Sequence, residues 1–300
     1  MIPVSIVTDP TIADSLREAA RALLECSDSP RLDAEVLLGS LLGAPRTALM
    51  LRADEALRAD LGRAYRDLIA RRAGGMPVAY LTGTREFWSL PLKVTPAVLV
   101  PRPETELLVE QALEILPPGG QAPAILDLGT GSGAIALALA VERPRARIVG
   151  VDISAAALKV AGENAGSLGL TSVEWKLGTW FEAVPNRQFD LIVSNPPYVA
   201  TGDPALAALR AEPAAALIGG PTGLEQLTSI IAAAPGYLVP GGWLLVEHGA
   251  DQAGRVAALF GDHRFEDIHS HEDYSGRPRL TRGRHRGPPG GPSAFNREPS

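Results

Sequence analysis

Apolar residues recur at helical spacing through the first quarter of the chain. Ile12, Leu16, Leu23 and Leu24 follow Thr11, a side chain suited to capping a helix N-terminus. Leu32, Val36, Leu37 and Leu41 follow Ser29-Pro30, a cap residue with proline at the first helical position. A third helix is predicted over roughly 55–72, ending at Gly74-Gly75. No strand pattern interrupts residues 12–73, so the region reads as a small helical bundle. The texture changes at Tyr80, where REFWSLPLKVTPAVLVPRP alternates aromatic and β-branched runs with prolines; this predicts a hairpin linker. A helix over about 104–115 is started by Pro103 and stopped by Pro117-Pro118-Gly119-Gly120. From Ala122 onward, strand-like runs at 124–128, 147–152, 172–177, 189–194 and 242–248 alternate with helical runs at 134–142, 155–168 and 224–238. That alternation predicts a parallel sheet covered by helices on both faces. Weaker runs at 264–271 and 278–282 are placed to close the sheet as an edge hairpin, and the Gly/Pro/Arg-rich end reads as a disordered tail. The expected domains are a helical domain over 1–80, the linker over 81–103, an α/β domain over 104–284 and the tail over 285–300.

Composition narrows the function classes. The chain has 300 residues, 46% hydrophobic and 21% charged, with a net charge of -6. An acidic chain has no broad phosphate-binding face, so no stable nucleic-acid binding is expected. Cys26 is the single cysteine, which excludes an intrachain disulfide and a cysteine-rich metal site and fits a reducing cytoplasm. The opening MIPVSIVTDP lacks a basic n-region ahead of an apolar run, and no uninterrupted apolar stretch reaches about 18 residues, so neither a leader nor a membrane span is expected. The five histidines show no metal-ligand spacing, and no metal is expected.

Three places carry chemistry. Asp127, Leu128, Gly129, Thr130, Gly131, Ser132 and Gly133 join a strand to a helix; glycines there permit a sharp turn and close approach of a ligand to the main chain. By itself this loop also fits a plain tight turn, and with Ala134 it satisfies the relaxed dinucleotide pattern GxGxxA. Asp152 ends the next strand, where a carboxylate can accept both ribose hydroxyls of an adenosyl group, of NAD and S-adenosylmethionine alike; a helix N-cap is the alternative reading. Asn195-Pro196-Pro197-Tyr198 follows the strand FDLIVS directly and separates these readings. An amide or aryl NH2 is a poor nucleophile because its lone pair is delocalised. Two acceptors, the Asn195 side-chain oxygen and the Pro196 carbonyl, would grip its N–H groups, aim the nitrogen and favour the developing positive charge. The prolines fix φ and remove competing donors, and Tyr198 supplies a flat face for a planar group. Trp180, after the third strand, is placed either to wall an adenine pocket or to pack in the core. An NAD oxidoreductase would explain the glycine loop and Asp152 but leave this tetrapeptide idle.

On these motifs the chain resembles the release factor glutamine methyltransferases, the PrmC/HemK family. The resemblance runs from about Ser29 to about Gly283 through SPRLDAEVLL, PVAYLTGTREFWSLPLKVTPAVLVPRPETE, LDLGTGSGAIALALA, VDIS, WF, SNPPYV, GGWLLVEHG and DYSGRPRLTRGR. It implies a Rossmann-like, seven-stranded class I methyltransferase domain behind an N-terminal helical bundle that helps recognise the substrate. The implied reaction is methylation by S-adenosylmethionine of the side-chain amide nitrogen of the glutamine in the GGQ motif of class 1 peptide chain release factors. Implied donor contacts are Asp127, Gly129 to Gly133, Asp152, Trp180 and Asn195; the implied glutamine site is Asn195, Pro196, Pro197 and Tyr198. Thr179 departs from the pattern, since an acidic residue commonly precedes the tryptophan. A ribosomal-protein glutamine and an exocyclic base amine are alternative acceptors of the same chemistry, and a non-catalytic factor-binding protein is a third reading.

Overall fold

The computed structural model describes residues 9–116 and 122–287. The chain divides into two units at Gly83/Thr84, close to the change of texture at Tyr80.

The first unit contains α1 (Ile12–Ala22), α2 (Pro30–Leu42), α3 (Arg46–Leu51), α4 (Ala59–Ala73) and α5 (Val78–Thr82). Thr11 caps α1 as expected, its hydroxyl accepting the Asp14 N–H at 3.1 Å. Ser29 does not cap α2; its hydroxyl donates to Asp33, whose carboxylate is also held by Arg72 at 2.8 Å. The third predicted helix starts later than expected. The carbonyls of Ala53 and Glu55 accept N–H groups of Ala13 and Ile12, which draws that stretch against the start of α1. Leu16, Leu23, Leu37, Leu38, Leu49 and Tyr65 close the core, and the Tyr65 hydroxyl reaches the Ala34 carbonyl at 2.9 Å.

The second unit opens with the hairpin of β1 (Thr84–Phe87) and β2 (Leu90–Lys93), paired antiparallel. Trp88 and Ser89, at φ 53° and 58°, form its two-residue turn, the handedness that matches strand twist. A 3₁₀ turn, Pro103–Thr105, leads into α6 (Glu106–Ile115). Then follow β3 (Ala124–Leu128), α7 (Ala134–Glu142), β4 (Arg147–Asp152), α8 (Ala155–Ser167), β5 (Glu174–Leu177), β6 (Phe189–Ser194), β7 (Val199–Ala200), β8 (Ile218–Gly220), α9 (Glu225–Ala233), β9 (Leu238–Glu247), α10 (Ala253–Asp262), β10 (Phe265–Glu272) and β11 (Pro278–His285).

Seven strands form one sheet in the order β10-β11-β9-β6-β3-β4-β5. Neighbours from β9 to β5 run parallel, and β11 runs antiparallel to both β9 and β10, the expected edge hairpin. This is the Rossmann-like seven-stranded arrangement. Successive residues of each strand serve opposite layers. Ile125, Leu191, Val193 and Leu245 pack with α6 and α7, whereas Leu126, Ile192, Leu244 and Val246 pack with α9 and α10. Each such fully buried aliphatic side chain stabilises the fold by about 1.5–3 kcal/mol.

From β3 the chain proceeds to β4 and β5 on one side, then returns to β6 and continues to β9 on the other. The carboxyl ends of β3 and β6 therefore flank the point where strand order reverses, the place where such sheets bind ligands. The Ser194 hydroxyl donates to the Leu128 carbonyl at 2.8 Å and ties the two strand ends together.

The helix predicted over 224–238 is shorter. Pro235 and Gly236 fall in a closing 3₁₀ turn, and Leu238 already belongs to β9. Strand β11 continues to His285, the first residue of the expected tail; residues 288–300 lie outside the described residues, as does the Pro117–Gly120 helix stop. Among the described residues, no helix is long and apolar enough to cross a membrane.

Candidate active site

The turn after β3 depends on Gly129, Gly131 and Gly133, with φ of 73°, 57° and 83°, a region disfavoured for side-chain-bearing residues. The N–H groups of Gly129 and Thr130 both reach the Val151 carbonyl at 2.9 Å, clamping the loop to β4. Asp127 holds the loop from below. It is fully buried, and its Oδ2 accepts the Thr130 hydroxyl at 2.6 Å and the Ala136 N–H at 3.2 Å. Burial pushes its pKa up to about 7, against the pull of those two bonds and with a small upward push from Asp152. Its Oδ1 has no partner among the described residues.

Asp152 accepts the Gly131 N–H at 2.9 Å and the Ser154 N–H at 2.8 Å, one on each oxygen. Burial raises its pKa, and the backbone donors oppose the rise. The N-cap of α8 is Ser154, whose hydroxyl accepts the Ala157 N–H at 3.1 Å, so the N-cap reading of Asp152 gives way to a carboxylate that braces the glycine loop. Asn164 of α8 adds a second brace: its Nδ2 donates to the carbonyls of Ser132 (2.9 Å) and Lys93 (3.0 Å), and its Oδ1 accepts the Lys93 N–H at 2.7 Å.

A cavity of about 440 Å³ opens over this loop, within the usual range for small-molecule sites. Gly129, Thr130, Gly131, Ser132, Asp152, Trp180, Asn195 and Pro197 all line it. Trp180 adopts φ 46°, sparsely populated for an aromatic residue, and lays its ring so close to Gly129 that a Cβ there would sit 3.3 Å from the ring. The indole N–H is satisfied by Gln226 at 3.1 Å. Thr179 lines the cavity and is exposed. These features fit an adenosyl donor: a main-chain cradle without side chains, a carboxylate with unused lone pairs beside it, an aromatic wall and an orphaned buried carboxylate oxygen beneath.

Also on the cavity wall, the Asn195 Nδ2 donates to the Thr105 hydroxyl at 3.1 Å. Thr105 in turn donates to Glu247 Oε2 at 2.7 Å, and the Tyr198 hydroxyl donates to Glu247 Oε1 at 3.1 Å. Burial lifts Glu247 to about 7, while both hydroxyl donors and the positive Arg279 pull it down. Burial and the neighbouring Glu247 charge keep Tyr198 in its neutral form well above its ordinary range. The Asn195 Oδ1 accepts no hydrogen bond among the described residues. Behind this segment, Gln252 Nε2 holds the Tyr198 carbonyl at 3.0 Å. A Cβ on Gly219 would lie 2.5 Å from the Pro197 carbonyl oxygen, and one on Gly223 would collide with the Tyr198 carbonyl.

The sheet thus brings the glycine loop, Asp152, Trp180 and Asn195 to one cavity. Asp127, Gly133, Pro196 and Tyr198 are not among its lining residues. Asp127 and Gly133 shape the loop, Pro196 is buried, and Tyr198 donates its hydroxyl to Glu247, a bond that sequence reasoning did not include. Sequence reasoning missed Thr105, Gln226, Glu247 and Gln252. The signals for Glu247 were weak but present, an acidic residue inside the otherwise apolar run GWLLVEH at the carboxyl end of a buried strand.

Comparison with known proteins finds relatives over nearly the whole chain. Residues 14–83 match the model of the PrmC N-terminal domain, and residues 103–216 match the methyltransferase small domain. The chain is 48% identical to the release factor glutamine methyltransferase of Salmonella typhimurium over 271 residues, covering 90% of this chain and 97% of that one. It is 44% identical to the enzyme of the same name from Escherichia coli K12, covering 90% and 97% of the two chains. A methyltransferase of Pyrococcus furiosus shares the fold with a TM-score of 0.52 at 16% identity, covering 75% of this chain and 99% of that one. With its N-terminal and methyltransferase models both matched and its curated relatives aligned almost end to end, the chain belongs to the release factor glutamine methyltransferase family.

Proposed function

We propose that the chain methylates the side-chain amide nitrogen of the glutamine in the GGQ motif of class 1 peptide chain release factors, and that Asn195 aims that nitrogen. The observation that carries this reading is the state of the Asn195 amide: its NH2 is engaged by Thr105, and its oxygen is left as a free acceptor on the wall of the cavity. A glutamine amide offers two N–H groups, and an acceptor of this kind orients one of them.

The methyl donor is S-adenosylmethionine; when bound, its sulfonium supplies an electrophilic methyl group. Gly129, Gly131, Asp152 and Trp180 are the residues that would hold it. Holding the amide in line with that group is the larger part of the task, since good orientation alone can lower a barrier by about 7–11 kcal/mol. A free acceptor also stabilises the positive charge that develops on nitrogen. No strong base is needed, because the methylated nitrogen becomes acidic and loses its proton afterwards. The net charge of -6 supports a protein acceptor over nucleic acid, and the translation-factor substrate together with the single Cys26 supports a cytoplasmic setting.

Incubation with labelled donor and purified release factors, followed by mass mapping, tests the reading: the label is expected on the GGQ glutamine, and label on a base or on another residue would overturn it. The helical unit up to Gly83, which has its own core, is assigned to recognition of the release factor. A chain starting at Thr84 is expected to retain donor binding and to methylate intact release factor at least tenfold more slowly. Equal rates would refute that assignment.

A further inference from the structure

The hydrogen bonds around Asn195 have a direction. Above about pH 7, where Glu247 is ionised, its carboxylate only accepts, and a threonine hydroxyl has a single proton. Thr105 spends that proton on Glu247 Oε2 at 2.7 Å, so towards Asn195 it can act only as an acceptor. An asparagine amide has two faces of nearly the same shape and opposite hydrogen-bonding character. An acceptor at 3.1 Å selects the NH2 face and thereby turns the oxygen to the other side. Glu247 is itself fully buried at the carboxyl end of β9, held on its second oxygen by Tyr198 of the same tetrapeptide. Arg279 and Glu104 are the further charged groups whose fields reach it.

We propose that Thr105 and Glu247 form a polarity relay that fixes which face of the Asn195 amide meets the substrate, making both of them positioning residues for methyl transfer. The inference rests on the functional reading above, in which the Asn195 oxygen is the acceptor for the substrate amide. Were the relay reversed, with Thr105 donating to Asn195, the NH2 face would oppose the N–H groups of the glutamine and repel them. The relay also explains why a buried carboxylate is placed beside the site at all. A neutral residue of either donor or mixed character would leave the direction of the Thr105 hydroxyl undecided.

Thr105→Val removes the hydroxyl and keeps the shape; Thr105→Ser keeps the hydroxyl and loses a methyl. The side-chain NH2 signals of Asn195, followed by NMR with ¹⁵N-labelled asparagine, are expected to show slowed solvent exchange in the wild type and the serine variant and fast exchange in the valine variant. In turnover of release factor, Thr105→Val is expected to lower kcat about tenfold or more, since slight misplacement of a reacting group has effects of that size, with KM and calorimetric donor affinity within about threefold. Thr105→Ser should recover most of the loss. Glu247→Gln should also lower kcat, and the double variant Thr105→Val/Glu247→Gln should be no worse than the poorer single, because the two act through one chain. Unchanged exchange of the Asn195 amide in Thr105→Val, equal losses in the valine and serine variants, or multiplicative losses in the double variant would each overturn the relay. Wild-type protein that shows the protected amide but leaves the release factor unmethylated would overturn the functional reading and leave the relay standing.

Discussion

Replacing Asn195 by alanine removes the free acceptor oxygen and leaves the Thr105 hydroxyl, already committed to Glu247, without its second partner. The two losses differ in size and in where they are felt. The bond to Thr105 is a single neutral one on a half-buried side chain, so the cost to folding is about 1 kcal/mol. The acceptor, preorganised at the reacting nitrogen, is of the kind whose removal costs about 2.7–4 kcal/mol in the chemical step, or roughly a hundred- to a thousandfold in kcat. Donor affinity should stay within severalfold, because the glycine loop, Asp152 and Trp180 are untouched. Single-turnover methylation of a release factor by enzyme saturated with donor isolates the step, and calorimetry supplies the affinity. Asn195→Asp sharpens the test. It restores an oxygen at the same place, but it brings a second acceptor-only group to a hydroxyl whose one proton Glu247 already takes. The aspartate variant is therefore expected to do no better than alanine at about pH 8, where Glu247 is ionised. A wild-type single-turnover rate in Asn195→Ala, or a loss confined to donor binding, would refute the role of this side chain.

Asp152→Ala should weaken donor binding by about 1.5–3 kcal/mol, the scale of charge-assisted hydrogen bonds, and calorimetry showing unchanged affinity would count against its assignment. Stability should also respond to pH. Asp127 and Glu247 both titrate near 7 in the folded chain, against ordinary values of 3.8 and 4.5, so the folded state holds their protons longer than the unfolded state does. Their contribution is complete below about pH 4 and is lost as pH rises through about 7, at up to ~1.4 kcal/mol per pH unit for each group. Urea midpoints between pH 5 and 8 should therefore decline less steeply in Glu247→Gln than in wild type, and identical slopes would show that Glu247 does not titrate there.

The parallel sheet was legible because its strands are buried on both faces and read as short continuous apolar runs, with 124–128, 147–152 and 189–194 recovered to the residue. The cavity was legible for the same reason: strand order places the glycine loop and the Asn195 segment at neighbouring strand ends, and both motifs are local. Contacts between distant parts of the chain were not legible. Thr105 and Glu247 are 142 residues apart, and Gln252 reaches back 54 residues to Tyr198; no periodicity joins such pairs. Boundaries slipped where tertiary contacts override local preference, as at the delayed start of α4 and at Ser29, whose hydroxyl turns to Asp33. Tyr198 also makes a contact that no local pattern announces, its buried hydroxyl donating to the Glu247 carboxylate.

The backbone of Gly219 lies against the Pro197 carbonyl, and that of Gly223 against the Tyr198 carbonyl, with no room at either for even a methyl group. The segment that follows Asn195 is therefore backed by main chain at two consecutive residues, Pro197 and Tyr198. Amino-acid replacement at 219 or 223 has no small step available: the first added atom already displaces the segment that carries Asn195. Room to reshape the cavity by substitution therefore lies with lining positions elsewhere, such as Ala97, Leu99, Ala215 and Ala216.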